Sequence, residues 1–160
     1  MKTQLFRILC LALVVLAQAC SQDDPKKEGD PEVNHVGERW KISSLEYNVI
    51  DQSLSNPSQT VKNGTATNAG FFYFDGAKGS FDIEFSTIHK EDVFSFQQTN
   101  TDVNITSISQ SVSGAAFSQN VITLSGEKGT TTTMTLEGTI TKQSMTGQFV
   151  LTGTFQLVKE

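Results

Sequence analysis

Cysteine is nearly absent from this 160-residue chain, which has only Cys10 and Cys20. Both lie in its first twenty positions, so whatever folds after them must do so without a disulfide or a thiolate metal site. Tryptophan occurs once, histidine twice and proline three times. Basic charge is also scarce. Twelve Lys and Arg face seventeen Asp and Glu, a net charge of −5, and without Lys2 and Arg7 the balance becomes ten against seventeen, or −7. An acidic chain with no basic patch argues against a nucleic-acid partner. No apolar run reaches the roughly 20 residues that a membrane-spanning helix needs. After residue 36 no stretch keeps an apolar 3.6-residue period for three turns, which argues against helices.

What is present begins at the N-terminus. Lys2 and Arg7 precede an apolar run from Ile8 to Leu16, and Ala17-Gln18-Ala19 closes it ahead of Cys20. A positive start, a short apolar core and small residues before a cleavage point are the physical parts of an export signal. With a cysteine directly after it, the stretch resembles a bacterial lipoprotein signal peptide spanning residues 1–19. That resemblance implies cleavage before Cys20 and acylation (palmitate and related chains) of its thiol and new amine. The family usually has Leu three positions before the cysteine; here that position is Ala17, with Leu16 one further back. Acyl chains contribute about 0.8 kcal/mol per buried CH2, so two or more hold a protein on a membrane. The alternative is an ordinary secretory signal cut at the same bond.

Residues 20–35 read as an acidic flexible linker. Ser21 to Glu32 has charges, Pro25, Pro31 and Gly29 but no large apolar residue, a composition that cannot bury a core. Ser21-Gln22-Asp23-Asp24 resembles the acidic tag of Bacteroidota lipoproteins, which implies an outer-membrane lipid anchor with surface exposure. His35 at the linker boundary is expected to be solvated.

Residues 36–160 fit one domain. Their Thr, Ser, Phe, Val and Ile content with regular Gly is that of β-strands. We expect a strand over Arg39–Val49 with a phase break at Ser43-Ser44, and a loop from Asp51 to Pro57. A hairpin follows, Phe71–Phe74 against Ser80–Phe85, in which Phe81, Ile83 and Phe85 alternate with polar residues. Phe71 and Tyr73, on the other face of the first arm, need cover of their own or else form an exposed aromatic patch. Further strands are expected at Val93–Gln97, from Val103, at Phe117–Ser125, Thr130–Thr141 and Met145–Val158. About eight short strands joined by tight turns predict an all-β fold, an antiparallel up-and-down barrel or else a β-sandwich. Closure removes exposed sheet edges and favours the barrel.

Gly37-Glu38-Arg39-Trp40-Lys41 at the first strand, Thr154 to Lys159 at the last and the lipoprotein signal together resemble the lipocalin-like lipoproteins of Bacteroidota. The resemblance implies a binding module whose Trp40 closes the barrel floor beneath a basic residue, here Lys159. The spacing is Gly-x-x-Trp, one residue longer than the family's. The expected ligand is a small apolar molecule or lipid, and the candidate lining is Trp40, Phe72, Phe74, Phe81, Phe85, Phe94, Phe96, Phe149 and Phe155. The alternative is that these rings fill the interior, leaving a structural or interaction lipoprotein that meets a protein or glycan partner through its surface.

Catalytic chemistry finds little support. No Gly-x-Ser-x-Gly elbow occurs, and no setting identifies a nucleophile. His89, Glu91 and Asp92 carry metal-ligand types but read as a charged turn between strands. Asp82 and Glu84 alternate outward on one strand and read as a solvated face. Asn100 to Asn104 lacks the glycine and terminal glutamate of a calcium loop. We therefore expect no enzyme activity, no cofactor and no metal.

Overall fold

The computed structural model describes residues 33–53, 59–114 and 116–160. The signal, Cys20 and most of the linker lie outside the described residues. The compact unit spans Val33–Glu160. It is built from nine strands, with no helix among the described residues: β1 (Glu38–Ser53), β2 (Gln59–Thr67), β3 (Gly70–Asp75), β4 (Lys78–Phe85), β5 (Ile88–Gln98), β6 (Asp102–Ser113), β7 (Ala116–Lys128), β8 (Thr133–Ser144) and β9 (Gly147–Lys159).

Every pairing is antiparallel. From β3 to β9 each strand pairs with its successor, β1 pairs with β3, and β9 returns to β1, so the sheet closes into an eight-stranded lipocalin-like barrel. The ninth strand adds no further lane. β9 holds one edge of β1 from Trp40 to Ser53. β3 and β2 therefore follow one another along the other edge, opposite Glu38–Lys41 and Ser44–Gln52. Between them the chain kinks at Asn68 (φ 53°) and Gly70 (φ 102°). A Cβ at Gly70 would lie 2.0 Å from the Asp82 carbonyl oxygen, so both conformation and space require glycine. A second such point is Gly138 (φ 149°), where a Cβ would lie 2.0 Å from the Thr123 carbonyl oxygen.

The phase break expected at Ser43-Ser44 is a register shift between Ile42 and Ser44 on β1. It lets Trp40 and Ile42 before the bulge, and Leu45 and Val49 after it, all point inward and be buried. Several strands run longer than their apolar residues suggest. Gln59–Thr67, unassigned from sequence, is β2. Asp51 to Ser53 belongs to β1 rather than to a loop. Residues 88–92 continue β5, and the turn before it shrinks to Ser86-Thr87. Gly126–Lys128 and Lys142–Ser144, which fell between the expected strands, end β7 and β8.

Phe71 and Tyr73 find cover on the outer wall. The Arg39 guanidinium lies 3.8 Å from the Phe71 ring centroid. His35 stacks on Tyr73 at 4.6 Å, with its Nδ1 2.9 Å from Ser80 Oγ. His35 is thus packed against the wall and not freely solvated, and it leaves Ser80 only 3 % exposed.

Candidate functional site

The structure brings all nine aromatic residues singled out from the sequence into one core. Trp40, Phe72, Phe74, Phe81, Phe85, Phe94, Phe96, Phe149 and Phe155 are each at most 7 % exposed. Phe72 sits at their centre, its ring 5.5 Å from Phe155, 5.8 Å from Phe81, 6.1 Å from Phe94 and 6.2 Å from Phe74. The first three pairs are tilted or edge-on and the one with Phe74 is near-parallel, at separations where aromatic rings attract. An internal void large enough for a ligand would leave its lining accessible. Phe72, Phe81, Phe155, Ile83, Ile105, Leu136 and Leu151 have at most 1 % of their surface free. Around these side chains the interior is packed, as protein cores are.

Trp40 and Lys159 meet at one end of the barrel, its floor. Trp40 is buried edge-on to Phe74, and Lys159 Nζ lies 5.9 Å from its ring centroid. Glu38 Oε1 accepts a hydrogen bond from that ammonium at 2.7 Å. This bond is the main reason the Glu38 carboxyl is held below the ordinary glutamate range, against the opposing effect of desolvation.

The other end is polar inside. Lys142 and Asn120 face each other across β7 and β8, next to Phe149. The β4–β5 hairpin reaches in from the opposite wall. Lys90 Nζ lies 4.7 Å from the Phe149 centroid, and Asp92 accepts a hydrogen bond from Asn120 Nδ2. This use of residues 88–92 corrects the reading of a charged surface turn. His89 Nε2 sits 3.0 Å from Asp82 Oδ1, Glu91 lies 3.7 Å from His35 Nε2 and Asp92 points to Asn120. The three side chains are thus split among different partners, and among the described residues no three His, Cys, Asp or Glu gather as a metal-binding set.

The remaining feature is a split in the wall. β5 pairs with β4 from Ile88 to Ser95, but with β6 only where Phe96–Gln98 meet Val103–Ile105. Beyond that point β6 pairs with β7 alone. A pocket of about 400 Å3 lies between β5 and β6, bounded by Val93, Phe94 and Ser95 on one side and by Ser107 and Ser109 on the other, with Lys78, Ser80 and Val36 around it. Of the nine aromatic candidates, Phe94 alone borders this pocket. Ser107 and Ser109 were not singled out from the sequence. The available signal was the inner face of β6, which changes from Val103 and Ile105 to Ser107, Ser109 and Ser111.

No family model, no curated protein and no solved structure matches the chain.

Proposed function

We propose that this chain is an acylated envelope lipoprotein whose barrel is a filled platform. It acts by binding a partner through its wall and does not carry a ligand inside or turn over a substrate. The observation that supports this reading is the interior, where Phe72, Phe81 and Phe155 interlock with at most 1 % of their surface exposed and occupy the volume a lipocalin-like carrier would keep open. Cys20 is the anchor in this reading. Acylation there places the barrel on the outer membrane, and the acidic linker stands it off the lipid. The layout resembles that of the Bacteroidota lipocalin-like lipoproteins, with the carrier cavity replaced by aromatic core.

Two measurements test it. Cells fed a fatty-acid analogue should label the wild-type protein and not Cys20→Ala, and an unlabelled wild type would remove the anchor. Native mass spectrometry of the protein purified from its own cells should give the acylated polypeptide alone. A second reading, a small apolar ligand, is favoured by the 400 Å3 pocket beside Phe94, a volume within the range of small-molecule sites. A stoichiometric small-molecule adduct in the same spectrum would select it.

A further inference from the structure

Along the split between β5 and β6 the two edges make no strand pairing with each other. The Phe96 N–H bonds to the Ala77 carbonyl, on the β4 side. Backbone groups alternate in direction along a strand, so those of Glu91, Val93 and Ser95 point the other way, into the split. On β6, the Asp102 carbonyl accepts from Thr99 on the β5 side. The same alternation turns Thr106, Ile108 and Gln110 toward the split. Continued past Phe96–Ile105, the register would pair Ser95 with Thr106 and Val93 with Ile108, yet no such pairs form among the described residues. The Val93 N–H bonds instead to the side chain of Asp92, at 2.8 Å.

A second observation coincides with the first. Val93, Ile108 and Val112 are 53 %, 67 % and 67 % exposed, on the outer face of the two edges that flank the split. Soluble proteins usually defend free strand edges with charge or proline and avoid leaving β-branched apolar side chains beside them. On the inner face the flanking residues are Ser107 and Ser109, which leave room.

We infer that the split is a docking slot for one extended strand of a partner polypeptide, which inserts between β5 and β6 and completes the wall by hydrogen-bonding to both edges. The chemistry of the edges selects this occupant. Rows of amide N–H and C=O groups on two facing sides are matched by another peptide backbone. β5 and β6 run in opposite directions, so the strand lies antiparallel to one and parallel to the other. Its outward residues are β-branched and apolar, packing between Val93 and Ile108 as cross-strand neighbours do. Its inward residues are small, facing Ser107 and Ser109. This assignment rests on the filled-platform reading and names the partner class and the place on the wall.

The test uses the acylated protein in detergent and a fluorescent ten-residue probe that alternates Val or Ile with Ser, with a Lys at each end. Saturable binding is expected, with slowed hydrogen exchange at the amides of Ser95, Thr106, Ile108 and Gln110. Two control probes carry N-methyl groups on alternate amides, one set for each edge, and keep every side chain. Each should bind at least about tenfold more weakly, because several backbone hydrogen bonds are lost. Ile108→Asp should weaken the unmodified probe, while Val158→Asp, on β9 and 41 % exposed, should not. Both side chains are on the surface, so both variants should fold. Equal binding of methylated and unmethylated probes would overturn the inference, as would absence of binding or protection elsewhere on the barrel. Concentration-dependent self-association abolished by Ile108→Asp would overturn it in favour of a second copy of this chain as the occupant. Failure of the probe with a ligand-free native mass spectrum defeats this inference alone, whereas a stoichiometric co-purified ligand defeats the filled-platform reading.

Discussion

Replacing Phe72 by alanine should cost more than almost any other single change in this protein. The ring has no exposed surface and meets four other phenylalanines at 5.5–6.2 Å. Truncating a buried Phe to Ala typically costs about 3–5 kcal/mol, part from lost transfer energy and part from the cavity left behind. The upper half of that range applies here, because the neighbours are rigid rings on four different strands (β3, β4, β5 and β9) and cannot collapse together without moving the wall. Domains of this size are stable by about 5–15 kcal/mol in total. With a urea slope of about 1–3 kcal/mol/M, the midpoint should fall by roughly 2 M with an unchanged slope. Equilibrium urea unfolding followed by circular dichroism measures this directly. A loss below about 1 kcal/mol would mean that Phe72 already borders empty space. The interlocked core, and with it the case against an internal carrier cavity, would then be wrong.

Gly138→Ala should destabilise by about 1–3 kcal/mol, since it forces a left-handed φ on a side chain whose Cβ would meet the Thr123 carbonyl; an unchanged urea midpoint would place the backbone elsewhere. Glu38→Gln tests the ion pair at the floor. The folded-state carboxyl is held below its ordinary value of 4.5, so its contribution is present above that pH and is lost as pH falls through the lower folded value. The pair is exposed, so wild type should exceed the variant by less than about 1 kcal/mol at pH 7 and lose that advantage well below pH 4; an advantage that grows on acidification would contradict the assignment. His35→Ala should raise proteolytic cleavage near residues 33–36 while leaving the global urea midpoint nearly unchanged, because His35 joins that segment to Tyr73 and Ser80 on the outer wall; protection equal to wild type would show that these contacts do not hold it.

The features that could be read in advance are those set by local alternation. Phe81, Ile83 and Phe85 announce a half-buried strand, and all three are buried on β4. The shift of phase around Ser43 announces the bulge that keeps β1 facing inward. β2 was missed because Gln59–Thr67 has one large apolar residue, Val61, and is held by pairing to β1 and not by burial. The start of β5 was missed because its charges suggest a turn. Lys90 lies near Phe149 and Asp92 is bonded to Asn120, contacts made with strands about 30–60 positions away. Tertiary context overrides propensity at such positions. The nine aromatics were identifiable as a group, but their spacing does not say whether rings line a cavity or fill it. Inter-ring geometry does. The split in the wall is a failure of pairing between β5 and β6, and no residue of either strand encodes it alone.

The central claim is that the aromatic core of the barrel has no room within it. Xenon enters apolar cavities and is visible by X-ray scattering, so a crystal of the Val33–Glu160 unit pressurised with xenon tests it most directly. The account predicts no xenon among Phe72, Phe81, Phe94 and Phe155 in the wild type, and an atom at that place in Phe72→Ala. An ordered xenon, or unassigned density, amid those rings in the wild type would contradict it.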